Sequence, residues 1–410
     1  MIPVTEAIRI ILEQARPLES ERVALSGALG RVLAGDVVAD TDLPPFDRAQ
    51  MDGYAVRAAD TAGVPVRLKL VGEAAAGEGW RGQLGAGEAV RIMTGAPLPA
   101  GADSVQQVEV TRELEGGAVV EVERSTQPGQ FFVTRGSEIR AGETVLRAGE
   151  VVGAAGMAVL ASFGYAEVEV YRRPRVAVLA TGSELVAAAE RPGADQIRDS
   201  NTFSLAAYAA LAGAEVERLP LAGDDPELLR RLIEEAAARS DVLILSGGVS
   251  MGRYDFTKAA LASLGAEIYF ERVRLRPGKP TVFARLPDEG RTLVFGLPGN
   301  PVSVSVTFNL FARTALRAMQ GASEPSLVEE RAVLSRAVKG AAERTSYLPA
   351  VLRTDADGRL MAEPLKWGGS SDFVAFARAA ALVIVPADVK LVEQGEVVSI
   401  VRLPDETPRL

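Results

Sequence analysis

The strongest constraint on the fold is a recurrence. Short, almost wholly apolar runs (Val176-Ala177-Val178-Leu179-Ala180, Val242-Leu243-Ile244-Leu245 and Thr292-Leu293-Val294-Phe295) each break into a loop rich in glycine or polar residues, and a helical pattern follows. Runs of this kind read as strands buried on both faces, and their alternation with helices implies a mostly parallel, doubly wound sheet over residues 172–321. The loop after the second run is the most telling: Ser246-Gly247-Gly248-Val249-Ser250-Met251-Gly252-Arg253-Tyr254-Asp255. Glycines let the backbone approach an anion, consecutive amides can point at it, and the serines add hydroxyl donors. An ordinary tight strand-to-helix turn is the competing reading.

The rest of the chain divides by texture. An amphipathic pattern (Ile8, Ile11, Leu12, Ala15) predicts an N-terminal helix, a strand follows at 32–38, and the double proline at Pro44-Pro45 marks a boundary. Residues 44–137 are short, glycine-punctuated and alternating, as in an inserted β-rich domain. This domain holds Asp52-Gly53, a turn dipeptide, and Thr94-Gly95-Ala96-Pro97, where Thr94 either serves a ligand or closes a turn. Residues 138–171 return to strand and helix, which suggests one discontinuous domain together with residues 1–43. Their apolar stretch at 151–163 is too short to span a membrane and predicts a core helix. Residues 322–410 read as a small β-barrel or sandwich.

Composition then narrows the chemistry. With no Cys and no His, the chain has no thiolate site, no Cys nucleophile and no imidazole base or ligand. Any metal must be held by oxygen, which favours Mg²⁺ or a similar hard cation shared with a phosphate. A formal net charge of −9 argues against nucleic acid as a partner. Glu6 and Arg9 within the first helix argue against a signal peptide, no run is long enough for a membrane span, and a cytoplasmic location is expected.

Ligands of open α/β sheets bind beyond the carboxyl ends of the strands. Four loops should leave those ends together, carrying Glu184, Asp224 and Asp255, with Asp199 at a helix start. Carboxylates beside a phosphate cradle repel the phosphate unless a divalent cation lies between them. Taken singly, each acid also suits a helix cap or turn, as Asp225 does before Pro226, and Ser200 or Asn201 suits the cap after Asp199. A basic constellation complements the acids. Arg272, Arg274 and Arg276 alternate with apolar residues, so one strand would carry them on one face ahead of Pro277-Gly278-Lys279-Pro280. That suits an oxyanion, a solvated strand face being the competing reading.

Six strings in order, Met51-Asp52-Gly53-Tyr54-Ala55, Arg91-Ile92-Met93-Thr94-Gly95-Ala96-Pro97, Thr181-Gly182-Ser183-Glu184, Ser246-Gly247-Gly248-Val249-Ser250, Pro277-Gly278-Lys279-Pro280 and Leu297-Pro298-Gly299-Asn300-Pro301, resemble the molybdopterin molybdenumtransferase (MoeA) family, to which the gephyrin E domain is related. The resemblance implies a linker and dimerisation domain, an inserted β-rich domain, a molybdopterin-binding α/β domain and a C-terminal β-barrel. It implies a Mg²⁺-dependent transferase that inserts molybdenum from molybdate into adenylylated molybdopterin with release of AMP. It also implies a homodimer, with a molybdopterin adenylyltransferase among its partners. By motif, Asp52, Thr94, Glu184, Asp224 and Asp255 would be catalytic, and Glu184, Asp199, Asp224 and Asp255 would serve the metal. Ser246, Gly247, Gly248, Ser250, Gly296, Pro298, Gly299, Asn300 and Pro301 would hold the pterin substrate. Arg272, Arg276, Lys279, Pro280, Ser303 and Ser370 would hold molybdate. The chain departs from the family pattern at Arg272 and Arg276, where lysines are common, at Glu138, where an Asp is frequent, and at Pro349, where an arginine is expected. Two other functions use related domains: a molybdopterin adenylyltransferase, which needs only the central sheet, and a non-catalytic molybdopterin-binding scaffold.

Overall fold

Alternate residues of a strand face opposite sides, and the central sheet uses both. Val176, Val178, Val242, Ile244, Leu293 and Phe295 enter one core, while Ala177, Leu179, Leu243, Leu245 and Val294 enter another. The computed structural model describes residues 1–248, 256–287 and 292–404. In this six-stranded sheet the order is Glu215–Arg218, Arg175–Ala180, Val242–Ser246, Leu293–Leu297, Pro280–Arg285, Glu267–Arg272. Only Pro280–Arg285 runs against its neighbours. Helices Asn201–Leu211, Pro226–Ala237, Phe256–Ser263 and Pro301–Thr307 connect or follow these strands. The last helix continues through a π-helical turn at Phe308–Ala312 into Arg313–Met319.

The contacts divide the chain into two compact units. One comprises Met1–Gly35, Ala148–Ala154 and the described residues from Glu167 onward; the other comprises Asp36–Arg147 and Ala155–Ala166. In the first, helix Val4–Gln14 buries Val4, Ala7 and Ile11 in the core that lines one face of the sheet. Of the predicted stripe, Ile11 and Ala15 are buried in this core and Ile8 packs against it, whereas Leu12 lies on the surface. Ser20–Ala24 pairs antiparallel with Glu167–Tyr171. Arg172 joins this segment to the sheet by two 2.7 Å hydrogen bonds to the Asp241 carboxylate, and it also donates to Glu19.

The C-terminal strands Glu329–Leu334, Thr345–Thr354, Leu360–Pro364, Ala381–Val385 and Val397–Arg402 close on themselves, because Thr345–Thr354 pairs with both Leu360–Pro364 and Ala381–Val385. The barrel interior takes Leu348, Ala350, Val383 and Ile400. Tyr347, Leu382 and Val401 instead join the core of the α/β sheet. Leu275–Arg276 adds to the barrel, pairing parallel with Thr345–Ser346.

The second unit is built on a six-stranded sheet ordered Ser104–Gln107, Gly53–Val56, Glu88–Ile92, Val66–Ala74, Val119–Val122, Thr111–Leu114. Gly53 is the first residue of its strand. A Cβ there would lie 1.9 Å from the Gln106 carbonyl oxygen, so close approach, not turn conformation, demands the glycine. Helix Ala154–Ser162 differs from expectation. Apolar on every side, it buries only Leu160, so it lies at the surface of the described chain. Among the described residues no helix is long and apolar enough to cross a membrane.

Candidate functional site

The helices that follow Arg175–Ala180 and Val242–Ser246 pack into different cores on the two faces of the sheet, Leu205 and Ala209 in one, Ala260 and Leu261 in the other, which opens a crevice at the carboxyl ends of this strand pair. Its walls are close. The Thr181 amide donates to the Ser246 carbonyl at 3.0 Å. Gly247 and Gly248 both have left-handed backbones (φ 91° and 62°), and a Cβ on Gly247 would lie 2.6 Å from the Thr181 carbonyl oxygen. Only glycine meets both demands. The Gly247 amide is spent on the Leu297 carbonyl at 3.1 Å, whereas the Gly248 amide has no partner among the described residues. Ser250 and Asp255 lie outside the described residues.

On the other side of the crevice, the Ser183 amide and hydroxyl both donate to the Asp224 carboxylate, the amide at 3.2 Å. Two strand-end loops are thereby joined, and Glu184 follows directly on Ser183, both acids being exposed. Asp199 is used differently. It is 5% exposed, accepts from the Thr202 amide at 3.0 Å and from the Thr202 hydroxyl, and faces Arg218 at 3.9 Å. Asp199 therefore supplies the cap contact expected of Ser200 or Asn201, while Asp225 caps Pro226–Ala237 as predicted. Among the described residues no three acids are grouped to hold an ion. Glu184 and Asp224 are the two predicted acids that stay exposed at these joined loops.

Asn201 links this crevice to a second site. Its Nδ2 donates to the Ser246 hydroxyl (2.9 Å) and to the Gly299 carbonyl (2.7 Å). Gly296 lies inside the strand Leu293–Leu297, its backbone register taken by Leu245 and Val282, so the loop expected from Gly296 begins at Pro298. Beyond Gly299, Asn300 donates to the Ser370 hydroxyl at 3.0 Å, and Pro301 opens the long helix. Here a cavity of about 450 Å³ is lined by Arg276, Lys279, Pro280, Pro298, Asn300, Ser303 and Ser370, all seven expected at ligand sites.

Arg272 is not among the lining residues. The anticipated single basic strand is split: Glu267–Arg272 ends in the α/β sheet, and Leu275–Arg276 belongs to the barrel edge. The side-to-side alternation survives the handover, with Val273 and Leu275 buried, but the arginines no longer share one strand. Trp367, Gly368 and Gly369 also line the cavity. Their only sequence signal was the Trp-Gly-Gly run before Ser370. Asp372 pins that loop, accepting from the Gly368 amide at 2.8 Å and the Ala375 amide at 3.1 Å, and those two amides hold its carboxyl below the usual range. Pro349 is buried in its strand and does not line the cavity, whereas Arg344 does.

In the second unit, Asp52 and Thr94 meet. The Thr94 amide (2.6 Å) and hydroxyl (2.7 Å) both donate to one Asp52 oxygen, and both residues are exposed. These bonds, the amide first, lower the Asp52 carboxyl below its ordinary value. A lowered folded-state value means that this tie is fully present above the ordinary carboxylate range and is lost as pH falls through the lowered value. In Thr94→Val the Asp52 titration, followed by carboxyl-carbon NMR, moves part of the way back up, because the amide remains. An unchanged titration would contradict the assignment.

Comparison with known proteins places the whole chain. Residues 2–164 match the MoeA N-terminal region (domain I and II), 177–318 a probable molybdopterin binding domain, and 331–403 the MoeA C-terminal region (domain IV). A molybdopterin molybdenumtransferase of Bacillus subtilis (strain 168) is 36% identical over 99% of this chain and 95% of that protein. One from Nostoc sp. is 37% identical over 98% and 94%. The crystal structure of a molybdopterin biosynthesis moeA protein from Pyrococcus horikoshii OT3 superimposes with a TM-score of 0.83 at 29% identity, covering 98% of this chain and 100% of that one. With all regions matched in order and near-complete mutual coverage, the chain belongs to the MoeA family of molybdopterin molybdenumtransferases.

Proposed function

We propose that the protein is the transferase that completes molybdenum cofactor assembly, inserting molybdenum from molybdate into adenylylated molybdopterin and releasing AMP. The observation that carries this reading is the 450 Å³ cavity. Cationic and hydroxyl groups from distant parts of the chain converge there, joined through Asn300, Gly299 and Asn201 to a glycine-lined phosphate-type crevice. An oxyanion and a phosphoryl group would then lie within one unit, as transfer between them requires.

In this reading Gly247 and Gly248 let the phosphate approach the backbone, and Arg276, Lys279, Ser303 and Ser370 orient the oxyanion. Glu184 and Asp224 would hold Mg²⁺ together with Asp255, and the ion would offset charge on the cleaved phosphoanhydride. Asp199, already engaged by Thr202, is left out of that set. Asp52 and Thr94 would come to the site from a second subunit. The support for a homodimer is the uniformly apolar helix Ala154–Ser162, with one buried residue, a surface that suits a second copy.

The purified protein with adenylylated molybdopterin and Mg²⁺ should release AMP when molybdate is added and sediment at twice the 43.2 kDa chain mass. AMP release that ignores molybdate would overturn the assignment, and a 43.2 kDa species would overturn the dimer. Release of pyrophosphate from ATP instead would favour an adenylyltransferase, but that reading leaves the cationic cavity without a task.

A further inference from the structure

We propose that Asn201 is a positioning residue that sets the spacing between the glycine-lined crevice and the cavity; the inference rests on the transferase reading, in which two substrates must meet across that junction. Its side-chain amide is shared by loops from two strand ends, one N–H going to the Ser246 hydroxyl and the other to the Gly299 carbonyl. A carbonyl oxygen only accepts, so the nitrogen of Asn201 must be the atom that faces Gly299. The two loops already touch at this place. The Gly247 amide donates to the Leu297 carbonyl, and a Cβ on Gly299 would lie 3.9 Å from the Gly247 Cα. From Gly299 the chain passes directly to Asn300, whose side-chain amide donates to Ser370 in the cavity lining. One side chain thus ties the end of the glycine loop to the wall of the cavity.

Helix formation does not account for an asparagine here. Asn201 stands at the first helical position of Asn201–Leu211, and the cap contact comes from Asp199 through Thr202. Alanine is the better helix former at such a position. The Asn201 Oδ1 is buried and has no hydrogen-bond partner among the described residues, an arrangement that costs stability. The two donated bonds offset that cost, so little net stability rests on the side chain. Gly299 is exposed, and water can satisfy its carbonyl when the amide is removed. What would be lost is the fixed distance between the two loops. A displacement of about 1 Å between reacting groups is enough to cost about 10²-fold in rate.

The test is steady-state AMP release by the full chain, with molybdate and adenylylated molybdopterin each titrated in turn, alongside a thermal melt. In Asn201→Ala the maximal rate should fall about 10²-fold, while half-saturation by either substrate stays within about threefold of the parent, because each half of the site is intact. Asn201→Asp has the same shape and can still accept from the Ser246 hydroxyl, but its carboxylate repels the Gly299 carbonyl. It should show the same loss of maximal rate, and it gives the same reading if the alanine variant does not fold. Parent-like turnover in both variants, or a loss confined to half-saturation, overturns the role of Asn201 and leaves the transferase reading standing. If both variants fail to fold or melt more than about 5 °C below the parent, Asn201 is a structural tie and the proposal is likewise overturned. Absence of molybdate-dependent AMP release in the parent would overturn the transferase reading, and this inference with it.

Discussion

Lys279→Ala should yield a folded protein that has lost its grip on molybdate, with the apparent affinity down about 10- to 100-fold. Lys279 is exposed, so its removal costs the fold little. It lines the cavity with Arg276 and Arg344, and among the described residues no carboxylate is there to be stranded. A charge-assisted contact to a dianion is worth about 1.5–3 kcal/mol, which sets the expected range. At saturating molybdate the maximal rate of AMP release should recover most of its parent value, because the phosphoryl side of the site is untouched. The check is a molybdate titration of AMP release alongside a thermal melt. Unchanged half-saturation would show that Lys279 does not face the substrate.

The second large effect is expected at Asp224. Asp224→Asn keeps an oxygen to accept from the Ser183 amide and removes only the charge. If Asp224 serves to bring a divalent cation to the phosphoanhydride, AMP release should fall about 10²–10³-fold at saturating substrates, the usual consequence of losing one group that stabilises developing charge. The melting temperature should stay within about 2 °C, since the residue is exposed and the Ser183 contact survives. Raising Mg²⁺ should restore part of the rate. Full activity in ordinary Mg²⁺ would remove Asp224 from the mechanism and leave it a loop clasp for Ser183.

How far the sequence could be read depended on how local each signal was. The buried strands were legible because an all-apolar run admits few alternatives, and the same runs located the glycine loops at their ends. The barrel was visible only as alternation with turns, since closure needs Thr345–Thr354 to pair with two partners far apart in sequence. Arg272 was misplaced for a related reason. Strict alternation looks the same whether a strand continues or passes from one sheet to another, and only the pairing of Leu275–Arg276 with Thr345–Ser346 reveals the break. Asp199 read as a metal ligand because an acid at a helix start looks the same whether its oxygens face solvent or the amide of Thr202. The surface position of Ala154–Ser162 was illegible too, since an apolar helix carries the same pattern whether its own chain or another one covers it.

The handover at residues 273–280 bears on how such proteins can be recombined. Leu275–Arg276 is at once the exit from the α/β sheet and a strand on the barrel, and its neighbours Arg276 to Pro280 wall the cavity. Exchange of barrels between relatives cut at the apparent seam near residue 321 would graft a foreign rim onto a native edge strand. A viable hybrid must carry this eight-residue crossing along with the barrel it serves.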